Sequence, residues 1–158
     1  MDIVHVLLAA EKTGGALTTA INKRDQFGNT PLKSAADVGC RSVVELLLRE
    51  QLIDVNRACP CGWTPLNSAA EKGHDAVVTL LLSHSEIDVN KAADDGSTPL
   101  FSATVMGNTS VVKLLLASGK KISLNAAPTN AGTPLSAAIE QGHQEIAKLL
   151  REAGAIES

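Results

Sequence analysis

The sequence predicts an all-α solenoid, in which short helix-turn-helix units stack side by side and β-hairpin-like turns project from one edge. Three markers in phase predict it. The stretch Gly62-Trp63-Thr64-Pro65-Leu66 recurs as Gly28-Asn29-Thr30-Pro31-Leu32, as Gly96-Ser97-Thr98-Pro99-Leu100 and, altered, as Ala131-Gly132-Thr133-Pro134-Leu135. Its Thr residues therefore stand 34, 34 and 35 positions apart. An Asn preceded by an apolar residue lies eight positions before each Thr (Asn22, Asn56, Asn90, Asn125), and an aliphatic run begins thirteen positions after it. A fixed period of this length is the signature of a stacked-repeat protein.

The chain opens on an apolar segment, Ile3 to Ala10, with Asp2 where a signal peptide would carry its basic residues and with Glu11 and Lys12 closing it. It reads as a helix, the second of a partial repeat spanning 1–22, followed by an enlarged loop containing Thr13-Gly14-Gly15. Ile3, Val4, Val6, Leu7 and Leu8 leave few polar positions for an outer face, so the chain is expected to be a segment of a longer array. Full repeats follow at 23–56, 57–90 and 91–125, and a carboxyl-terminal capping repeat at 126–158, all within a single domain covering 1–158.

Within each repeat the Thr-Pro-Leu starts a helix. The Thr side chain caps free amides, and Pro at the first helical position lacks an amide that would be unpaired there anyway. Gly39, Gly73, Gly107 and Gly142 follow nine positions after the Thr, where a positive φ ends a helix at least cost. The next helix carries the aliphatic run, for example Val77-Val78-Thr79-Leu80-Leu81-Leu82, whose apolar arc is wide enough for burial on more than one side. Truncation of that run, as in Leu80→Ala, is expected to cost about 2–5 kcal/mol. From each Asn to the next Thr the chain is rich in Gly, Asp, Pro and Asn and too short for another helix, so it reads as a hairpin-like turn.

A short helix, a longer aliphatic helix and a projecting turn written around G-x-T-P-L resemble the ankyrin repeat. The order Gly62-Trp63-Thr64-Pro65-Leu66, Ala69-Ala70, Gly73-His74, Val77-Val78, Leu80-Leu81-Leu82 and Asp88-Val89-Asn90 matches the family pattern, and the resemblance covers residues 2 to about 156. It implies an ankyrin-repeat solenoid. The departures matter. The family's His after Thr-Pro-Leu, which braces neighbouring repeats, is replaced by Lys33, Asn67, Phe101 and Ser136, so that brace is expected to be absent throughout. The Asp three residues before the turn Gly survives only as Asp25, with Cys59, Ala93 and Pro128 elsewhere, and the last turn has its Gly displaced to Gly132. In the last helix Arg151 replaces the third Leu and Ala147 the second Val, which gives a terminal cap its wet face.

Composition narrows the function. A formal net charge of −3 argues against the broad basic surface that nucleic-acid or anionic-membrane binding needs, and the aliphatic runs are interrupted by Glu45, Thr79 and Lys113 well short of a membrane span. No Gly-rich phosphate loop or His-Glu-x-x-His occurs, and His74 and His143 stand where the ankyrin pattern commonly has His at the start of the second helix. No catalytic, cofactor or metal site is expected. Cys40, Cys59 and Cys61 make an odd count, so Cys59-Pro60-Cys61 reads as free thiols in an exposed turn, and a reducing compartment, cytoplasm or nucleus, follows.

The three aromatics, Phe27, Trp63 and Phe101, all lie in or beside the turns and none in the aliphatic runs. Such residues are typical binding anchors at the rim of a groove. The ankyrin resemblance implies a concave docking face built from turn tips and first-helix flanks, here Phe27, Asn29, Val38, Trp63, Glu71, Asp95, Phe101, Val105 and Met106. The expected function is non-enzymatic: a monomeric interaction module for a protein or peptide with apolar anchors and basic flanks. The alternatives are a structural spacer within a longer repeat array and a regulatory or targeting domain of a multidomain enzyme.

Overall fold

The computed structural model describes residues 20–157, and the expected amino-terminal helix, Asp2 to Ala10, lies outside them. The described residues form eight helices and no strand: α1 Pro31–Asp37, α2 Arg41–Leu48, α3 Pro65–Lys72, α4 Asp75–Ser83, α5 Pro99–Val105, α6 Thr109–Ala117, α7 Pro134–Glu140 and α8 Gln144–Glu152. The odd-numbered helices begin as the sequence dictates. Thr30, Thr64, Thr98 and Thr133 stand in extended conformation, and each hydroxyl oxygen accepts from the amide three residues on, at 3.1–3.2 Å.

They end equally uniformly. Gly73 has φ +72°, and a Cβ there would fall 2.8 Å from Asn108 Oδ1 of the next repeat, so both conformation and space demand glycine. The residue after each of these glycines then turns back. His74 N donates to Ala69 O, Asn108 N to Ala103 O and His143 N to Ala138 O, at 2.8–3.0 Å, which satisfies carbonyls the helix end leaves free.

The helices lie in two rows. α1, α3, α5 and α7 pack side by side in one row, and α2, α4, α6 and α8 in the other. Between the first helices sit Ala35, Ala36, Ala69, Ala70 and Ala103, all without exposure, and their small side chains let the backbones approach. The aliphatic runs bury one stripe: Val44 and Leu47; Val77, Val78 and Leu81; Val111, Val112 and Leu115; Ile146, Ala147 and Leu150. Leu80, Leu114 and Leu149 are only partly buried against this core, and Leu46 is exposed. The expected large loss therefore belongs to Leu81 rather than Leu80.

Polar ladders tie the repeats in register. Asn22 Nδ2 donates to Leu52 O at 2.6 Å and its Oδ1 accepts from Asp54 N at 2.9 Å. Asn56 does the same to Glu86 O and Asp88 N, and Asn90 to Lys121 O and Ser123 N. Each side chain thus fixes two backbone groups of the following repeat, and Asn125 continues the ladder by accepting from Ile156 N. A second ladder runs backwards, with His74 Nε2 on Asp37 O, His143 Nε2 on Val105 O, and Asn108 Nδ2 donating to Ala70 O and Glu71 O.

The brace expected to be missing is present in one repeat. Asn67 is fully buried; its Oδ1 accepts from Thr64 N, and its Nδ2 donates across to Ser97 O of the next turn at 3.1 Å. An amide is long enough to join the capping Thr to the next repeat, as the imidazole it replaces would be. At the far end Arg151 is exposed and pairs with Glu157, whereas Ala147, expected on the same wet face, is buried in the core.

A candidate docking face on the turn tips and first helices

Three turns share one construction. Asp25 N donates to Asn29 O, Cys59 N to Trp63 O and Ala93 N to Ser97 O, each at 2.9 Å, and the turn Gly donates back to the first residue of the set at 2.9–3.0 Å. The fourth cannot follow, because Pro128 stands at that first position and has no amide. There the tip closes through Ala131 N donating to Pro128 O, with the positive φ at Gly132.

The tips touch one another. Asp94 N donates to Cys61 O at 3.2 Å, and a Cβ on Gly28 would strike the ring of Pro60. Glycine is needed at Gly28 for that approach. With the tips and the first helices both in rows, residues at one repeat position form columns across the molecule, spaced by the roughly 8–10 Å of packed helices.

The columns place the sequence-derived residues as follows. Phe27 and Asp95 share a tip column with Cys61, and Asn29 and Trp63 share the next. Glu71 and Val105 lie at the carboxyl ends of first helices beside Asp37 and Glu140. Val38 and Met106 form the adjoining column with Lys72 between them. Phe27, Val38 and Met106 are 70%, 69% and 55% exposed, large values for such apolar side chains. Asp95 is exposed, while Asn29, Trp63, Glu71 and Val105 are half-buried.

Phe101 does not belong to this face. It is only 8% exposed, because it occupies the third position of α5, under the capping Thr98, where Asn67 is buried one repeat earlier.

The free-thiol expectation is also corrected. Cys59 and Cys61 are paired as a disulfide, and Cys59 is buried rather than exposed. The turn bond from Gly62 N to Cys59 O folds Pro60 and Cys61 back and holds the two Cα atoms 5.3 Å apart, within disulfide reach. Cys40, half-buried at the start of α2, is the one free thiol among the described residues.

Carboxylates border the apolar residues. Asp37 lies 3.9 Å from Lys33 and Glu71 3.2 Å from Lys72, whereas among the described residues no cation pairs with Asp94, Asp95 or Glu140. Among the same residues no cluster of three or more His, Cys, Asp or Glu is placed to hold a metal ion, and no helix is long and apolar enough to cross a membrane.

The sequence matches the family described as ankyrin repeats (3 copies) over residues 1–93 and again over 86–157. The chain belongs to the ankyrin-repeat family. No curated protein matches it. Ankyrin repeats are in general protein–protein interaction modules and are typically non-catalytic, and the two helix rows with their projecting tips are the ankyrin architecture. The brace made by this ankyrin domain's Asn67 departs from the sequence expectation. The signal for it was the amide side chain three residues after a capping Thr, since that spacing forms a capping box.

Proposed function

We propose that this ankyrin-repeat domain docks a protein or peptide segment across its turn tips and first helices, through Phe27, Val38 and Met106 with Trp63 and Val105 beside them. The partner carries apolar anchors and basic residues. Asn29 and Asp95 contribute at the tips, and Glu71, Asp94 and Glu140 supply the charge that basic residues would meet.

One observation carries this reading. Met106 has a repeat stacked on either side and is still exposed, and Val38 and Phe27 stay exposed with the next repeat packed on theirs. Stack position explains the contrasting case of Ile139. It holds the place of Ala36, Ala70 and Thr104, which the following first helix covers, and its 43% exposure reflects only the end of the described stack. Apolar side chains left in the open where stacking has finished are what a docking surface keeps.

Site-specific photo-cross-linking tests it. A photoreactive residue placed at Phe27 or at Met106 is expected to capture the same protein from a lysate of the source cells, and one at Thr79 on α4 is expected to capture none. Equal adducts from all three positions would count against a defined face.

A further inference from the structure

We propose that Cys59 and Cys61 form a reversible dithiol–disulfide site, whose oxidation state sets the order of the second turn tip. The second turn lacks the side-chain tie that its neighbours have. In the first turn Asp25 ties the tip together, its Oδ1 accepting from Phe27 N at 2.8 Å and from Asn29 N at 2.9 Å. In the third, Asp95 Oδ1 accepts from Ser97 N at 2.8 Å. Cys59 occupies the position of Asp25 and has no side-chain oxygen with which to accept such bonds. The link from Cys59 to Cys61 spans the same two residues as the contact from Asp25 to Phe27, so a covalent bond stands where the first turn has a carboxylate. Reduction removes that tie and leaves the tip with backbone bonds alone.

Burial gives the exchange a direction. Cys61 is exposed at the tip, and Cys59 is 7% exposed beneath it. The Cys61 thiolate meets a small disulfide such as glutathione disulfide first. It attacks one sulfur, forming a mixed disulfide and releasing one glutathione thiolate. Cys59, deprotonated in turn, attacks the Cys61 sulfur and expels the second glutathione. Two protein thiols lose two protons and two electrons, and glutathione disulfide becomes two glutathione thiols. The reverse sequence with glutathione restores the dithiol.

The tip is placed to pass the change on. Cys61 O is the acceptor for Asp94 N, and Pro60 packs against Gly28, so this turn touches the turns on both sides. Trp63 closes the same turn through its carbonyl. The site stands whether or not a partner uses the face, and its test needs no partner.

Trp63 is the only Trp and the chain has no Tyr, so intrinsic emission reports this turn alone. The 158-residue chain is equilibrated across a series of glutathione to glutathione disulfide ratios, in a Cys40→Ser background. Reactive thiols are counted with a chromogenic disulfide reagent, mass is recorded, and Trp63 emission is read. The expected result is a reversible transition in which both remaining thiols disappear together, without a retained glutathione adduct, and emission changes at the same ratio. Cys61→Ser, an exposed position, and Cys59→Ser should each abolish the paired transition while helical circular dichroism is kept. Two thiols that persist in excess glutathione disulfide would overturn the proposal. So would oxidation that halts at a mixed disulfide, or an emission that ignores the thiol count.

Discussion

Asn67 replaces the family's His yet keeps both of its bonds, one to the Thr64 cap and one to Ser97 O in the next turn. Asn67→Ala is expected to cost about 1–3 kcal/mol, since it strands buried polar groups and weakens a helix start. Urea unfolding checks this, and a midpoint within error of the wild type would remove the brace from the account. Trp63→Ala is expected to weaken partner binding by about 2 kcal/mol or more. Its half-burial predicts a stability loss as well, about 1 kcal/mol, so affinity must be measured where both proteins are folded. Residue roles were only partly legible. The capping Thr residues follow from local chemistry, and so could be read directly. Phe101, expected at the surface from its place beside a turn, is buried, because position relative to a turn does not reveal which side of a short helix faces the next repeat.

Within the second helices the sequence shows an unbroken aliphatic run, but the packing distinguishes its members. Leu81 is completely buried and Leu80 only partly, because α4 meets α2 on one side and α6 on the other and leaves a narrow outer stripe. Leu81→Ala is expected to cost about 2–5 kcal/mol and Leu80→Ala clearly less, as a cavity forms only where neighbours cannot collapse. Equal denaturation midpoints for the two variants would contradict the register of the stack. Helix existence, starts and stops were legible from Thr, Pro and Gly, whose effects are local. The disulfide and the partly buried Leu positions were not, since both depend on how a turn or a neighbouring helix closes in space.

Each described repeat contacts its neighbours through the same helix rows and Asn ladders, so the described repeats form a linear array. The carboxylates on the proposed docking face that have no paired cation among the described residues, Asp94, Asp95 and Glu140, predict that docking of a basic partner slows at higher salt, mainly through the association rate. Stopped-flow association at rising ionic strength checks this, and a flat rate would argue for an uncharged partner. The period made the array legible from sequence alone, whereas the proposed docking face rests on side-chain exposure, which the sequence does not give. The most direct test of that face is a parallel affinity capture with the wild type and the Phe27→Ala/Val38→Ala/Met106→Ala variant, matched for folding. All three side chains are exposed, so their loss should leave the stack intact. A protein is expected to be retained by the wild type and bound about a hundredfold or more weakly by the variant. Identical captures by the two proteins would contradict it.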